Sequence, residues 1–178
     1  MPSSISEQFA HLVQPEHLDS IDVLGPTIQF LTSPTETNAP CIMRGTIPPG
    51  MVIPLHSHGD PETFVMLSGV VDGLVVRHED FEWTRLSPGD VFHVPPHAKH
   101  AWRNRGTTPT VMILVTTAKL GRFFQELGKP AKPGVPAAPP SPEELQRFLK
   151  TSERYGYWNA TSEENARVGI DPIQFDRA

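Results

Sequence analysis

Two histidines one residue apart, His56 and His58, with Glu62 four residues further on, are the residues here whose types and spacing can do chemistry. In an extended strand alternate side chains share a face, so an H-x-H pair aims two imidazoles at one point. The turn residues Gly59-Asp60-Pro61 return the chain and bring Glu62 beside them. Two neutral imidazole nitrogens and one carboxylate suit a divalent transition metal of borderline hardness, such as Fe, Mn, Ni, Co or Zn. A second segment runs from Pro88 to Asn104. Pro88-Gly89-Asp90 is turn chemistry, Val91–Val94 reads as a short strand, and Pro95-Pro96 breaks it. His100, Trp102 and Asn104 then alternate onto one face of a following strand. His100 supplies a third imidazole if the two hairpins lie opposite one another in a closed sheet.

The elements that must position these residues are short strands. From about Ile21 to Thr117, runs rich in Val, Ile, Phe and Thr are divided by Gly, Pro, Asp and Asn turns. The runs are Thr27–Thr32, Cys41–Ile47, Val52–His58, Glu62–Leu67, Gly73–Arg77, Phe81–Leu86, Val91–Val94, Lys99–Asn104 and Thr110–Thr117. Their close, regular spacing favours a sandwich or barrel over βαβ units. A short helix is expected over Ser6 to Val13 and another over Gly121–Leu127, closed by Gly128. A proline-rich linker follows, from Lys129 to Pro140. Ser141-Pro142-Glu143-Glu144 is a helix start, with Ser141 as N-cap and Glu144 completing a capping box. That helix should run to about Arg154 and stop near Gly156, with Leu145, Phe148 and Leu149 on its packed face. The division this implies is an N-terminal extension at 1–20, a β-barrel at 21–120, helices and linker over 121–156, and a polar tail of little order at 157–178.

Composition excludes several function classes. A formal net charge of −5 without any Lys/Arg block argues against non-specific nucleic-acid binding. No apolar run approaches membrane-spanning length. Cys41 is the single cysteine, which forbids an intramolecular disulfide and fits a reducing compartment. The N-terminus lacks a basic n-region and an apolar h-region. The expectation is a cytoplasmic protein that binds neither nucleic acid nor membrane. Twenty prolines in 178 residues imply turns, edges and extended linker rather than long helices.

The two histidine segments resemble the cupin superfamily. The first cupin motif, G-x5-H-x-H-x3/4-E-x6-G, is matched by Gly50, His56, His58, Glu62 and Gly69. The second, G-x5-P-x-G-x2-H-x3-N, is matched by Gly89, Pro95, His100 and Asn104. The departure is His97, where the family usually has glycine. Either this histidine carries a positive φ at some cost or the turn differs locally. The resemblance implies an all-β fold, a jelly-roll β-barrel with a C-terminal helical appendage, in which His56, His58, Glu62 and His100 bind one divalent metal. Iron comes first, with Mn, Ni, Co and Zn as alternatives. Four protein ligands leave coordination positions open, which implies chemistry rather than a structural staple.

Glu62 has two candidate roles, as fourth ligand or as a catalytic general base. Phe64 and Met66 share its strand face and, with Trp102, form either an apolar wall around the metal or ordinary barrel core. Arg44 is a candidate anchor for an anionic substrate, although an exposed barrel face suits it better. Phe123 and Phe124 belong either to a cap over the barrel mouth or to a helix packed outside. His11, His17, His78 and His97 read as surface residues, and His93 either lines the cavity or faces out. By resemblance to quercetinase-like dioxygenases, the leading expectation is a dioxygenase. Its substrate would be small, mostly apolar or aromatic, of enol, phenol or diketone type. The alternatives are a redox-neutral acid/base enzyme (isomerase, cyclase, dehydratase or decarboxylase) and a non-catalytic ligand-binding cupin. Pairing into a homodimer is expected of such a barrel.

Overall fold

Proline and glycine punctuate the chain so often that its strands are short. A computed structural model describes residues 10–36, 38–77, 80–131 and 139–171. A 3-10 turn at Pro15–His17 leads into β1 (Ile21–Asp22), β2 (Thr27–Phe30), β3 (Cys41–Ile47), β4 (Val52–Ser57) and β5 (Glu62–Ser68). Next come β6 (Val71–Arg77), β7 (Asp80–Leu86), β8 (Val91–Val94), β9 (His100–Arg103) and β10 (Thr110–Thr116). The chain then forms α1 (Ala118–Leu127), β11 (Lys129–Pro130), α2 (Pro142–Tyr155), β12 (Trp158–Asn159) and α3 (Ser162–Arg167).

All pairings among the described residues are antiparallel, in one sheet of order β11-β1-β2-β3-β10-β5-β8 and another of order β12-β4-β9-β6-β7. Alternation decides what each strand buries. On β3, Cys41, Met43 and Ile47 turn inward, and on β5 Glu62, Phe64 and Met66 do. All of these but Glu62 meet Val71, Leu86 and Trp102 from the other sheet in one core, so the sheets pack face to face. The fold is the expected all-β one with a short helical region after it.

Thr117 caps α1 by accepting from the Leu120 amide. Gly121 lets that helix lie against the barrel, because a Cβ there would stand 2.6 Å from Cys41 Sγ. The capping box of Ser141 and Glu144 forms at the start of α2, and Gly156 ends it at φ 76°. Its packed face differs from the expected one. Leu149 is 54% exposed, whereas Phe148, Thr151 and Ser152 turn toward the protein. Residues 1–9 and 132–138 lie outside the described residues, and with them the first half of the expected N-terminal helix and most of the linker. Ala10 to Val13 are not helical. The first linker residues extend a sheet, with Ile21 opposite Pro130.

The larger correction concerns the C-terminal segment. Residues 157–171, expected to be irregular, pack on the barrel. β12 pairs with β4, setting Trp158 opposite Ser57 and Asn159 opposite His56. Asn165 accepts the Leu55 amide through Oδ1, and the Ala160 amide donates to the Leu55 carbonyl. Val168 and Ile170 are buried with Leu55, Leu74 and Ala101. These few apolar side chains are spread too widely to show a period, yet each meets a barrel residue distant in sequence. Residues 172–178 lie outside the described residues. No helix among the described residues is long and apolar enough to cross a membrane.

Candidate metal centre

β4 carries His56 into a turn that begins with His58, and β9, its neighbour in the same sheet, opens with His100. The register sets His56 directly opposite His100, and their ring centroids are 4.1 Å apart. One nitrogen from each of His56, His58 and His100 can be chosen so that all three lie within 4.8 Å of one another. Glu62 reaches the same place from the facing sheet. Its Oε2 is 3.2 Å from His58 Nε2 and 3.0 Å from His100 Nε2.

The other nitrogen of each ring fixes its direction. His56 Nδ1 lies 2.8 Å from the Pro54 carbonyl, His58 Nδ1 2.8 Å from that of Asp60, and His100 Nδ1 3.0 Å from that of Ala98. A carbonyl can only accept, so each Nδ1 carries the proton. In the neutral rings all three Nε2 lone pairs are then free, which is how metal-binding histidines are oriented.

Three observations test whether a metal fits. Two ligands held about 2.1 Å from one ion at a right angle stand about 3.0 Å apart, close to the Glu62 contacts. Glu62 Oε2 and His100 Nε2 are buried and have no hydrogen-bond partner, so their approach is close without being a directed hydrogen bond. Imidazole and carboxylate donors also suit a borderline divalent cation. The residues fit such an ion.

Charge completes the picture. Burial pushes the His56 pKa down to about 3, reinforced by His100, so this ring stays neutral. Burial works to raise that of Glu62, but the His100 and His58 rings outweigh it and hold the acid at about 2, a carboxylate at neutral pH. For His58, burial works downward and the adjoining Glu62 carboxylate outweighs it, so its pKa is raised.

A model of the cupin domain family matches residues 43–116, the span containing β4, β5 and β9. That span is a cupin domain. No curated protein matches it in sequence. Solved structures resemble this cupin in fold. A double-stranded β-helix protein of Klebsiella pneumoniae, described as an uncharacterised conserved protein, is 19% identical, with TM-score 0.50 over 62% of this chain and 91% of that one. A Thermotoga maritima protein described as a predicted oxalate decarboxylase is 20% identical, with TM-score 0.51 over 60% and 98%. An RmlC-like cupin of Shewanella frigidimarina is 20% identical, with TM-score 0.50 over 62% and 92%.

The remaining candidate residues of the cupin divide by strand face. Phe64, Met66 and Trp102 are buried in the core between the sheets, where Phe64 and Phe92 both meet the Trp102 ring edge-on. Arg44 lies on the face of β3 opposite Met43 and donates to Gln29 Oε1. It therefore points away from that core. His93 is exposed and shares a hydrogen bond with Thr63, which settles it as outward-facing. His97 is exposed and takes φ 65°, so the histidine does carry the positive angle; its amide donates to the His58 carbonyl. His11 and His17 are exposed, and His78 lies outside the described residues. Asn104, alternating with His100 and Trp102, donates to the Ile47 and Thr108 carbonyls and serves the turn.

Two side chains that the sequence reading passed over stand beside the histidines. Asp60, a turn residue by its sequence setting, is buried and accepts from Thr117 Oγ1 and from Tyr157 Oη. Tyr157, from the segment expected to be irregular, has its ring centroid 5.2 Å from that of His58. The available signal was its place after the helix-ending Gly156, next to a second aromatic, Trp158.

Proposed function

We propose that this cupin is a metal-dependent enzyme, and that its reaction is dioxygenation of a small enol, phenol or diketone whose body is mostly apolar or aromatic. One observation carries the metal reading: three imidazoles are each locked through Nδ1 to a backbone carbonyl, leaving three Nε2 lone pairs for one ion. A bound divalent ion, iron before Mn, Ni, Co or Zn, would supply Lewis-acid chemistry at open positions, and a redox-active one such as iron would add one-electron chemistry. The histidines hold it. Glu62, ionised and buried, either joins them or takes the proton from a substrate hydroxyl at Oε2. The Tyr157 ring lies against one side of the His58 ring. The same reading takes the protein as a cytoplasmic homodimer.

The unpartnered Glu62 Oε2 also favours a second reading, a redox-neutral isomerase, cyclase, dehydratase or decarboxylase in which this carboxylate moves the proton. Anaerobic purification followed by reconstitution with Fe, Mn, Ni, Co or Zn separates the two. Oxygen uptake is followed across flavonoid, diketone and catechol panels. Uptake coupled to substrate loss supports dioxygenation. Conversion without oxygen overturns it in favour of proton chemistry.

A further inference from the structure

We propose that Tyr157 is a positioning residue for the metal centre, acting through Asp60 on the ring of His58; this rests on the metal-binding reading above. His58 is aimed by its Nδ1 donating to the Asp60 carbonyl at 2.8 Å. The ring is therefore only as fixed as the peptide that accepts from it. That peptide sits in a turn between two strands of different sheets, flanked by the exposed Gly59 and Pro61, and backbone pairing alone does not hold it.

Side chains hold it instead. The Asp60 carboxylate is buried and accepts from Tyr157 Oη at 2.6 Å and from Thr117 Oγ1. The next carbonyl, of Pro61, accepts from Thr116 Oγ1 at 2.8 Å. Thr116 and Thr117 are neighbours at the end of β10, so one side of the turn is tied to the barrel. Tyr157 holds the other oxygen of the Asp60 carboxylate from 97 residues away in sequence.

Tyr157 is itself well fixed. Its ring is buried among Leu120, Phe123 and Leu127, with Phe123 edge-on at 4.9 Å. The next two residues form β12 on the ligand-bearing strand β4. The hydroxyl thus links the helical cluster to the side chain of the residue whose carbonyl accepts the His58 N–H, and its ring lies beside the His58 ring. The direct hydrogen-bond partner of a metal ligand, here the Asp60 carbonyl, commonly changes metal affinity ten- to a hundredfold when lost, and Tyr157 acts one contact further out.

The test is Co(II) titration of the metal-free full chain, read by Co(II) absorption, with the metal-free melting temperature measured in parallel. Tyr157→Phe keeps the ring and removes the hydroxyl. It should weaken Co(II) binding by several-fold, up to about tenfold, the low end of what loss of a ligand's direct partner costs, and alter the Co(II) spectrum. Tyr155→Phe, which loses a hydroxyl bonded to Glu126, is the control and should bind like wild type. Asp60→Asn should weaken binding as well, and combining it with Tyr157→Phe should add little, because both act through one contact. Wild-type affinity and spectrum in Tyr157→Phe overturn the proposal while leaving the metal site standing. A loss of affinity that only tracks a lowered melting temperature, equal in Tyr155→Phe, also overturns it. Failure of the wild-type chain to bind Co(II) overturns the metal reading and this proposal together.

Discussion

Glu62 Oε2 lies 3.0 Å from His100 Nε2, and the two residues belong to different sheets. The three imidazoles of the candidate centre come from β4, the turn that follows it and β9 of one sheet, and Glu62 faces them from the other. Both atoms are buried without a hydrogen-bond partner. Leaving a polar group so costs about 1–3 kcal/mol, a cost that an ion between them removes.

Glu62→Gln should preserve the fold and cut turnover by about 100-fold or more on whichever substrate the panel identifies. The amide retains the volume of the carboxylate but neither its charge nor its capacity to take a proton. Circular dichroism melting checks the fold and steady-state kinetics the turnover. Unchanged kcat would remove Glu62 from the chemistry.

Metal affinity should fall with falling pH, and His58 should set the window. An imidazole must be neutral to bind a cation. His56 meets this condition down to about pH 3. His58, its pKa raised by Glu62 against the effect of burial, is the ring whose proton an incoming ion displaces. Below the His58 pKa, affinity should drop by about tenfold for each pH unit per displaced proton. Co(II) titrations between about pH 5 and pH 8 read this directly. Glu62→Gln should move the fall to lower pH, and a flat profile would contradict the assignment.

Asn165→Ala should destabilise the fold by about 1–3 kcal/mol in urea unfolding. It removes the acceptor for the Leu55 amide and the donor to the Ala160 and Thr161 carbonyls. A change below about 0.5 kcal/mol would mean that the C-terminal segment contributes little to β4.

Local patterns made the barrel legible. The runs at Cys41–Ile47 and Val91–Val94 coincide with β3 and β8, because alternation and turn residues act within a few positions. The capping box at Ser141 and the stop at Gly156 are equally local. The spacing of His56, His58, Glu62 and His100 also pointed to a shared place, and the structure brings them to one. Arg44 was open because its face depends on which neighbours of β3 turn inward. Tyr157 and Asn165 were illegible for a stronger reason. Each acts on a residue about a hundred positions earlier, and no period or motif in the sequence announces such a contact.

Metal content of His58→Ala beside wild type tests the central claim most directly. After reconstitution and removal of loose metal, wild type should hold one divalent ion per chain by elemental analysis, and His58→Ala should hold essentially none, with its far-ultraviolet spectrum unchanged. Full metal retention by His58→Ala, or a wild-type chain that takes up no ion, would contradict the account.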